Sequence, residues 1–286
     1  EKAVSLGDGL ISHDDLKQHA SNLHHLAITH ADQGRYAEAR ALYQQSLASW
    51  EKLGDEQGRA ATLHALGIIE ASQGRYAEAR ALYQQSLDIE ETLGDELNRA
   101  HTLLQLAIIE ADQGRYAEAR ALYQQSLASW EKLGDERGRA ATLHALANIA
   151  AHQGRYAEAR ALYQQNLAIA DKLGDEQGRA ATLAMLATVA SDRTEKRKLN
   201  EQALEIMRRL GDAANVAAIL DNMGRVAQSE GNRAEAARLY RESLAIFERL
   251  DKFRGTAPQR RALISRTLSS AHSAASPFSG ISGGSV

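Results

Sequence analysis

The sequence predicts an all-α protein, an α-solenoid of about six antiparallel helix hairpins. Three observations predict it. The run Gly-Arg-Tyr-Ala-Glu-Ala-Arg-Ala-Leu-Tyr-Gln-Gln recurs at one constant interval, starting at Gly34, Gly74, Gly114 and Gly154. Leu-Gly-Asp recurs at 53–55, 93–95, 133–135, 173–175 and 210–212. Between these marks the apolar residues follow helical spacing. A fixed period of this size belongs to repeat proteins, in which each unit buries its apolar face against its neighbours.

Each element has a local reason. Residues 1–13 carry Gly7 and Gly9 and little periodicity, so they read as a leader. Asp14 or Asp15 can cap a first helix running to about Asp32, where Gly34 breaks it. The second helix starts near Tyr36 and ends at Leu53. Tyr36, Ala39, Tyr43, Ser46, Leu47, Trp50 and Leu53 share one face of it, and the small Ala39 and Ser46 allow a neighbouring helix to come close. In Leu-Gly-Asp, glycine takes the left-handed conformation that closes a helix and aspartate caps the next one. Gly74 and its equivalents form the tight turn inside each hairpin. In the first helix of the second repeat, Leu63, Leu66, Gly67 and Glu70 line one stripe, with Gly67 the contact point.

This gives a repeat array over 14–250, divided at about 14–54, 55–94, 95–134, 135–174, 175–211 and 212–250. The fifth unit departs from the rule. The interval from Leu173 to Leu210 is shorter than that from Leu133 to Leu173, and the turn Ser191-Asp-Arg-Thr-Glu-Lys-Arg-Lys198 has no glycine. Losing nearly one helical turn should bend the array or change its pitch there. After the array, 251–275 reads as a capping segment. Thr256, Pro258 and the apolar Leu263, Ile264 and Leu268 predict a helix over about 257–273. From 276 the chain is a Gly/Ser-rich tail.

A second-order pattern overlies the first. Residues 33–56 and 113–136 are identical. Both carry Ser-Trp (Ser49-Trp50, Ser129-Trp130) where the second repeat has Ile89-Glu90 and the fourth Ile169-Ala170. The expectation is that the isoleucine fills the gap that tryptophan fills elsewhere. All nine tyrosines sit at two repeat positions, Tyr36/76/116/156 and Tyr43/83/123/163/240. Tracking the packing period so closely marks them as core, not as a stacking surface.

The pattern Leu63, Leu66-Gly67, Gly74, Tyr76, Ala79, Tyr83, Ser86-Leu87 resembles the tetratricopeptide repeat, over about residues 14–250. These units are longer than the family's usual length of about 34 residues. In that they resemble the repeats of kinesin light chains and of the sensor arms of bacterial signalling NTPases and transcription regulators. The resemblance implies a right-handed superhelix whose inner face holds a segment of another protein. It also implies which residues face that groove: His24, His64 and His144, with Leu104 in the third repeat, and one turn on Ile28, Ile68, Ile108 and Asn148. Asp221 and Arg225 hold the pair of positions in the sixth repeat. These residues form either a peptide- or helix-accepting strip or an ordinary half-exposed helix face.

Composition narrows the function further. The net charge of −3 gives no bulk attraction to nucleic acid or anionic lipid. Cysteine is absent, which removes thiolate chemistry and favours a reducing, cytoplasmic compartment. No apolar run approaches a membrane span. The glycines never form a phosphate loop, so no cofactor is implied. His19, His24, His25 and His30 lack the i, i+4 spacing that pairs two imidazoles on a metal. The ladders Arg35/75/115/155 and Arg40/80/120/160, accompanied by Glu38/78/118/158, read as a solvated outer face. Glu70 and Glu110 stand where the family has a packed aromatic, so they are expected to be semi-buried, but on separate repeats they make no acid/base pair. The chain is therefore expected to be non-enzymatic, with a protein or peptide partner. Self-association is a further expectation, since near-identical units offer each other similar interfaces. The rival is a ligand-sensing or autoinhibitory arm of a bacterial signalling ATPase or transcription regulator.

Overall fold

The structure, a computed structural model, describes the backbone of residues 3–6 and 9–254 and the side chains of 12–250. The repeated region is helical throughout. Its first helices are α1 (His13–Asp32), α3 (Glu56–Ser72), α5 (Glu96–Asp112), α7 (Glu136–His152), α9 (Glu176–Val189) and α11 (Ala213–Ser229). Its second helices are α2 (Tyr36–Leu53), α4 (Tyr76–Leu93), α6 (Tyr116–Leu133), α8 (Tyr156–Leu173), α10 (Arg193–Leu210) and α12 (Arg233–Arg254). The chain divides into two compact units, 1–149 and 150–286, with the boundary inside α7. In the first unit α1 packs on α2, α3 on α4 and α5 on α6, and α2 and α4 each also meet the next first helix. In the second unit α8, α9, α10, α11 and α12 pack in succession in the same way. This is the α-solenoid arrangement. The capping helix and tail expected after residue 254 lie outside the described residues.

The helix ends follow the sequence with one exception. Gly54 closes α2 in the left-handed region, and Asp55 then caps α3 by accepting a 2.9 Å hydrogen bond from the Gly58 N–H. Asp95, Asp175 and Asp212 repeat the cap. At α1 neither Asp14 nor Asp15 is the cap. Ser12 is, its Oγ accepting from the Asp15 N–H at 3.1 Å, and the two aspartates occupy the first turn, where their charge suits the helix dipole. The leader is also more ordered than its composition indicates. β1 (Ala3–Leu6) and β2 (Gly9–Ser12) pair antiparallel, Val4 opposite Ile11 and Leu6 opposite Gly9. The overlooked signal is the Gly-Asp step between short runs of Val, Leu and Ile.

Inside a hairpin the two helices approach closely. Ala20, Ala39, Ala79, Ala100 and Ala119 have no exposure. Beside them Ser46 Oγ donates to the Ala20 carbonyl at 2.8 Å. Ser86 does the same to Ala60, Ser126 to Ala100 and Ser243 to Ala217. The Tyr83 ring lies directly on Gly67, where an added Cβ would come within 2.6 Å of a ring carbon.

The tyrosines separate into two classes. Tyr43, Tyr83, Tyr123, Tyr163 and Tyr240 are fully buried. Tyr36 and Tyr76 are half-buried against the clusters that contain Ile69 and Ile109 of the next first helix. Tyr156 is not core: it is 56% exposed. The helix that should cover it, α9, has 14 residues where α3 and α5 have 17. The residues missing from the fifth repeat thus come from the end of α9. An extended Ala190 and the Asp192 cap on α10 replace the glycine turn.

The tryptophan position is also filled differently. Trp50 and Trp130 pack on Gly58 and Gly138 of the following first helix. In the second repeat the buried residue is Glu90, 1% exposed, while Ile89 is only half-buried. Glu90 Oε1 accepts from Thr102 Oγ1 at 2.9 Å and lies 2.8 Å from Ser86 Oγ, whose one proton goes to the Ala60 carbonyl. In the fourth repeat Ile169 and Ala170 are both buried.

Gly74 isolates the backbone requirement of the turn. Its φ is +75°, and an added Cβ would meet nothing within 4 Å. Gly74→Val is therefore expected to lower unfolding free energy by about 1–2 kcal/mol through strain alone. Urea denaturation measures this, and an unchanged midpoint would show that the turn has no such requirement.

Candidate partner-binding groove

In the first unit the first helices lie side by side. His24 on α1 meets Thr62 on α3, Nδ1 to Oγ1 at 3.1 Å, and His64 on α3 meets Thr102 on α5 at 2.8 Å. Thr62 spends its hydroxyl proton on the Gly58 carbonyl, and Thr102 spends its own on Glu90. Both histidines must then donate from Nδ1, which leaves Nε2 as an acceptor. Burial lowers the His24 pKa, with His25 adding to it, and burial lowers that of His144. For His64, burial and then His101 push it down to about 4. The His24 and His64 rings also lean on Tyr43 and Tyr83, at centroid distances of 5.1 and 5.3 Å. Leu104 and His144 are likewise half-buried.

One turn further along the same helices, Ile28, Ile68 and Ile108 are 39%, 44% and 38% exposed, and Asn148 is half-buried. The first unit therefore carries a row of uncovered isoleucines beside a row of neutral imidazoles. The sixth repeat differs. Asp221 is 1% exposed and belongs to the core, with Arg225 Nε at 3.7 Å, so it offers no surface to a partner. Of that pair, Arg225 alone reaches the surface, and it donates to Asn222 Oδ1.

The arginine ladders are not a freely solvated face. Arg40 Nε donates to Glu70 Oε1 at 2.6 Å, and Arg75 holds the other carboxylate oxygen. Arg80 and Arg115 clasp Glu110 in the same way. Glu70 and Glu110 are 3% and 2% exposed. Burial would raise the Glu70 pKa, but the hydrogen bonds and charges of Arg40 and Arg75 outweigh it and hold the carboxyl below its usual range. In the fifth repeat Glu195 takes over, bound by Arg160 through two hydrogen bonds of 2.9 and 2.6 Å. The sequence held a signal for this: the pairs Arg40–Glu70 and Arg80–Glu110 have the same separation.

Among the described residues no three His, Asp or Glu side chains are grouped to hold a metal ion, and no helix is long and apolar enough to cross a membrane. The model of the tetratricopeptide repeat matches residues 18–92, 98–172, 138–198 and 194–249. The chain belongs to the tetratricopeptide repeat family. Tetratricopeptide repeats are typically non-catalytic interaction scaffolds. Among curated proteins no sequence relative is found.

Solved structures share the fold. A putative kinesin light chain of Podosopora anserina with nearly identical tetratricopeptide-like repeats is 28% identical, with a TM-score of 0.58 over 67% of this chain and 96% of that one. A signal transduction ATPase with a tetratricopeptide repeat sensor from Pyrococcus horikoshii has a TM-score of 0.72 at 14% identity. That match covers 91% of this chain and 43% of the ATPase. A Rap protein complexed with Competence and Sporulation Factor has a TM-score of 0.58 at 13% identity, over 91% and 80% of the two chains.

Two outcomes test these electrostatics. Between pH 6.5 and about 4, unfolded His64 binds a proton that folded His64 refuses. Stability from this group is complete above pH 6.5 and is lost as pH falls toward 4. Burial raises the Glu90 pKa, so Glu90 contributes with the opposite sign. The difference between wild type and His64→Gln in urea midpoint across pH 4–7 isolates the histidine, and the variant should show the shallower fall. The second outcome concerns Glu70, whose side chain is 4% exposed while those of Arg40 and Arg75 are 37% and 36%. Removing both arginines strands a buried carboxylate and is expected to cost about 3–5 kcal/mol. Glu70→Gln leaves arginines that reach water and is expected to cost about 1–2 kcal/mol. Equal losses would mean the carboxylate is solvated.

Proposed function

We propose that the chain is a non-enzymatic scaffold that holds a peptide or helix of a partner protein along the first helices of residues 1–149. The observation that carries this reading is the row Ile28, Ile68 and Ile108 beside His24, His64, Leu104 and His144, with Asn148 at its end. Apolar side chains left uncovered at a regular spacing gain when a partner covers them. The neutral imidazoles of His24 and His64 add Nε2 acceptors at the same spacing, suited to the N–H groups of a ligand. The solenoid is preformed, so only the ligand has to be ordered on binding. Arg225 takes part separately, in the second unit.

A second reading is favoured by one observation, the likeness over 91% of this chain to the Pyrococcus horikoshii ATPase that has a tetratricopeptide repeat sensor. There the array would be the sensing or autoinhibitory arm of a signalling ATPase or transcription regulator. A nucleotide-binding domain in the same reading frame would decide for it. Self-association through the repeated interfaces is compatible with either reading, and light scattering across a concentration series reads it out.

The groove is tested with Ile28→Glu, Ile68→Glu and Ile108→Glu combined. All three are surface positions, so circular dichroism should stay at wild type. Proteins cross-linked to wild type in the source cells and recovered with it should be lost from the variant. Recovery of the same proteins would refute the groove.

A further inference from the structure

We propose that the fifth repeat carries a separate binding site, a cleft between α9, α10 and α11 that takes an acidic segment of peptide. It shares only Arg225 with the reading of the groove, whose isoleucine row lies in 1–149.

Two departures from the repeat create the cleft. The first is the shortened α9. The second is the residue that faces it. Second helices carry a buried tyrosine at one fixed interval before the closing glycine, as Tyr43 stands before Gly54 and Tyr83 before Gly94. Tyr240 holds the matching position two turns into α12. On α10 the same interval before Gly211 falls on Asn200. One turn earlier, where Ala39 and Ala79 are fully buried, α10 has Lys196. The ring that closes other hairpins is missing, and a cleft of about 420 Å³ opens. Ala187 and Thr188 of α9 form one wall.

The lining has a defined chemistry. Arg193, Lys196 and Asn200 are spaced i, i+3, i+7 on one face of α10, and Asn222 and Arg225 line the cleft from α11. Arg193 and Lys196 have no ion-pair partner among the described residues, while Glu195 is held by Arg160 and Glu230 by Arg197. These two acids are thus neutralised elsewhere and Asp221 faces Arg225, so the positive charge that the cleft keeps is that of Arg193 and Lys196. Asn200 is 2% exposed. Its Nδ2 donates to the Lys196 carbonyl at 2.9 Å, which fixes the amide and leaves Oδ1 buried without a partner. A buried acceptor of this kind calls for an N–H. Asn222 uses Oδ1 on Arg225 and keeps its Nδ2 to offer a carbonyl.

An N–H for Asn200, a carbonyl for Asn222 and a carboxylate for Arg193 and Lys196 are what a peptide with Asp or Glu side chains supplies together. A phosphodiester backbone supplies the anion without the N–H. The peptide carboxylate then sits in charge-assisted hydrogen bonds while its backbone satisfies the buried amide.

The test is fluorescence anisotropy of a labelled peptide of alternating glycine and glutamate at low salt, with the full chain. Wild type should bind it and should not bind the glycine–lysine counterpart. Asn200→Tyr restores the repeat residue and fills the cleft, and Arg193→Glu with Lys196→Glu reverses the charge. Each should weaken binding roughly tenfold or more with the helical signal unchanged. Asn200→Leu, which removes Oδ1 but keeps the branched outline of the side chain, should weaken it too and serves if the tyrosine variant fails to fold. No binding by wild type would overturn the proposal. So would unchanged binding by Asn200→Leu, binding of the lysine peptide, or equally tight binding of N-acetylglutamate, which would mark a site for small anions only.

Discussion

The close approach of the two helices within each hairpin is the constraint from which the rest follows. Alanines without exposure on both helices let the backbones draw together. The serine at the crossing then spends its hydroxyl on a carbonyl of the facing helix, as Ser46 does on Ala20 and Ser86 on Ala60. A buried hydroxyl with no partner would be costly, so this bond fixes the register as well as the distance. Tyrosine can lie flat on Gly67 only at that separation. With the hairpin fixed, its outer faces fall at a set interval. His24 then reaches Thr62, and His64 reaches Thr102, by the same geometry. The isoleucine row is a by-product of that interval.

Near-identical units face a problem of register, since each second helix could dock on any first helix. The buried interactions between hairpins discriminate. Trp50 requires the bare backbone of Gly58, the third residue of α3. The third residue of α5 is Asn98, whose side chain would occupy that space. The second repeat accordingly ends in Glu90, which needs the Thr102 hydroxyl rather than a cavity. Trp130 then returns with Gly138. The alternation separates tryptophan–glycine junctions from the glutamate–threonine one between them. The buried Glu70 and Glu110, each held by two arginines, add polar ties that tolerate little slippage.

What could be read from the sequence divides along the range of the interaction. Helix ends depend on a few adjacent residues, so Leu-Gly-Asp, Gly74 and Tyr36 located them. Burial of Ala39 and Tyr43 depends on helical periodicity and was legible for the same reason. Glu70 was placed on the same stripe, but its partner was not foreseen, because Arg40 belongs to the preceding hairpin and meets it only after lateral packing. Taken singly, each arginine has the composition of a solvated surface. Glu90 was misread in favour of Ile89 because hydrophobicity pointed to the isoleucine, while the site offered the Thr102 hydroxyl. Asp221 was assigned to the groove from its repeat position, yet position alone does not distinguish a buried carboxylate beside Arg225 from an exposed one. The candidate groove was thus legible as a set of equivalent positions, and its electrostatics were not.

The fifth repeat shows how an irregular unit stays within a regular stack. Losing the last turn of α9 removes the place where Glu70 and Glu110 sit in earlier repeats. Arg160 would be left without its carboxylate, but Glu195 on α10 supplies one from the other side of the turn. The missing glycine turn is replaced by an extended Ala190 and a cap from Asp192. Repairs of this kind restore polar partners and helix ends, because unsatisfied backbone and charge are the more expensive faults. The apolar cover is not restored. Tyr156 is left exposed, and Asn200 replaces the ring that would have closed the hairpin. Had the deletion been repaired for stability alone, the simplest change would have kept tyrosine at 200. Instead the uncovered space is lined with cations and amides, which makes this hairpin the part of the array where regular packing gives way to polar recognition chemistry.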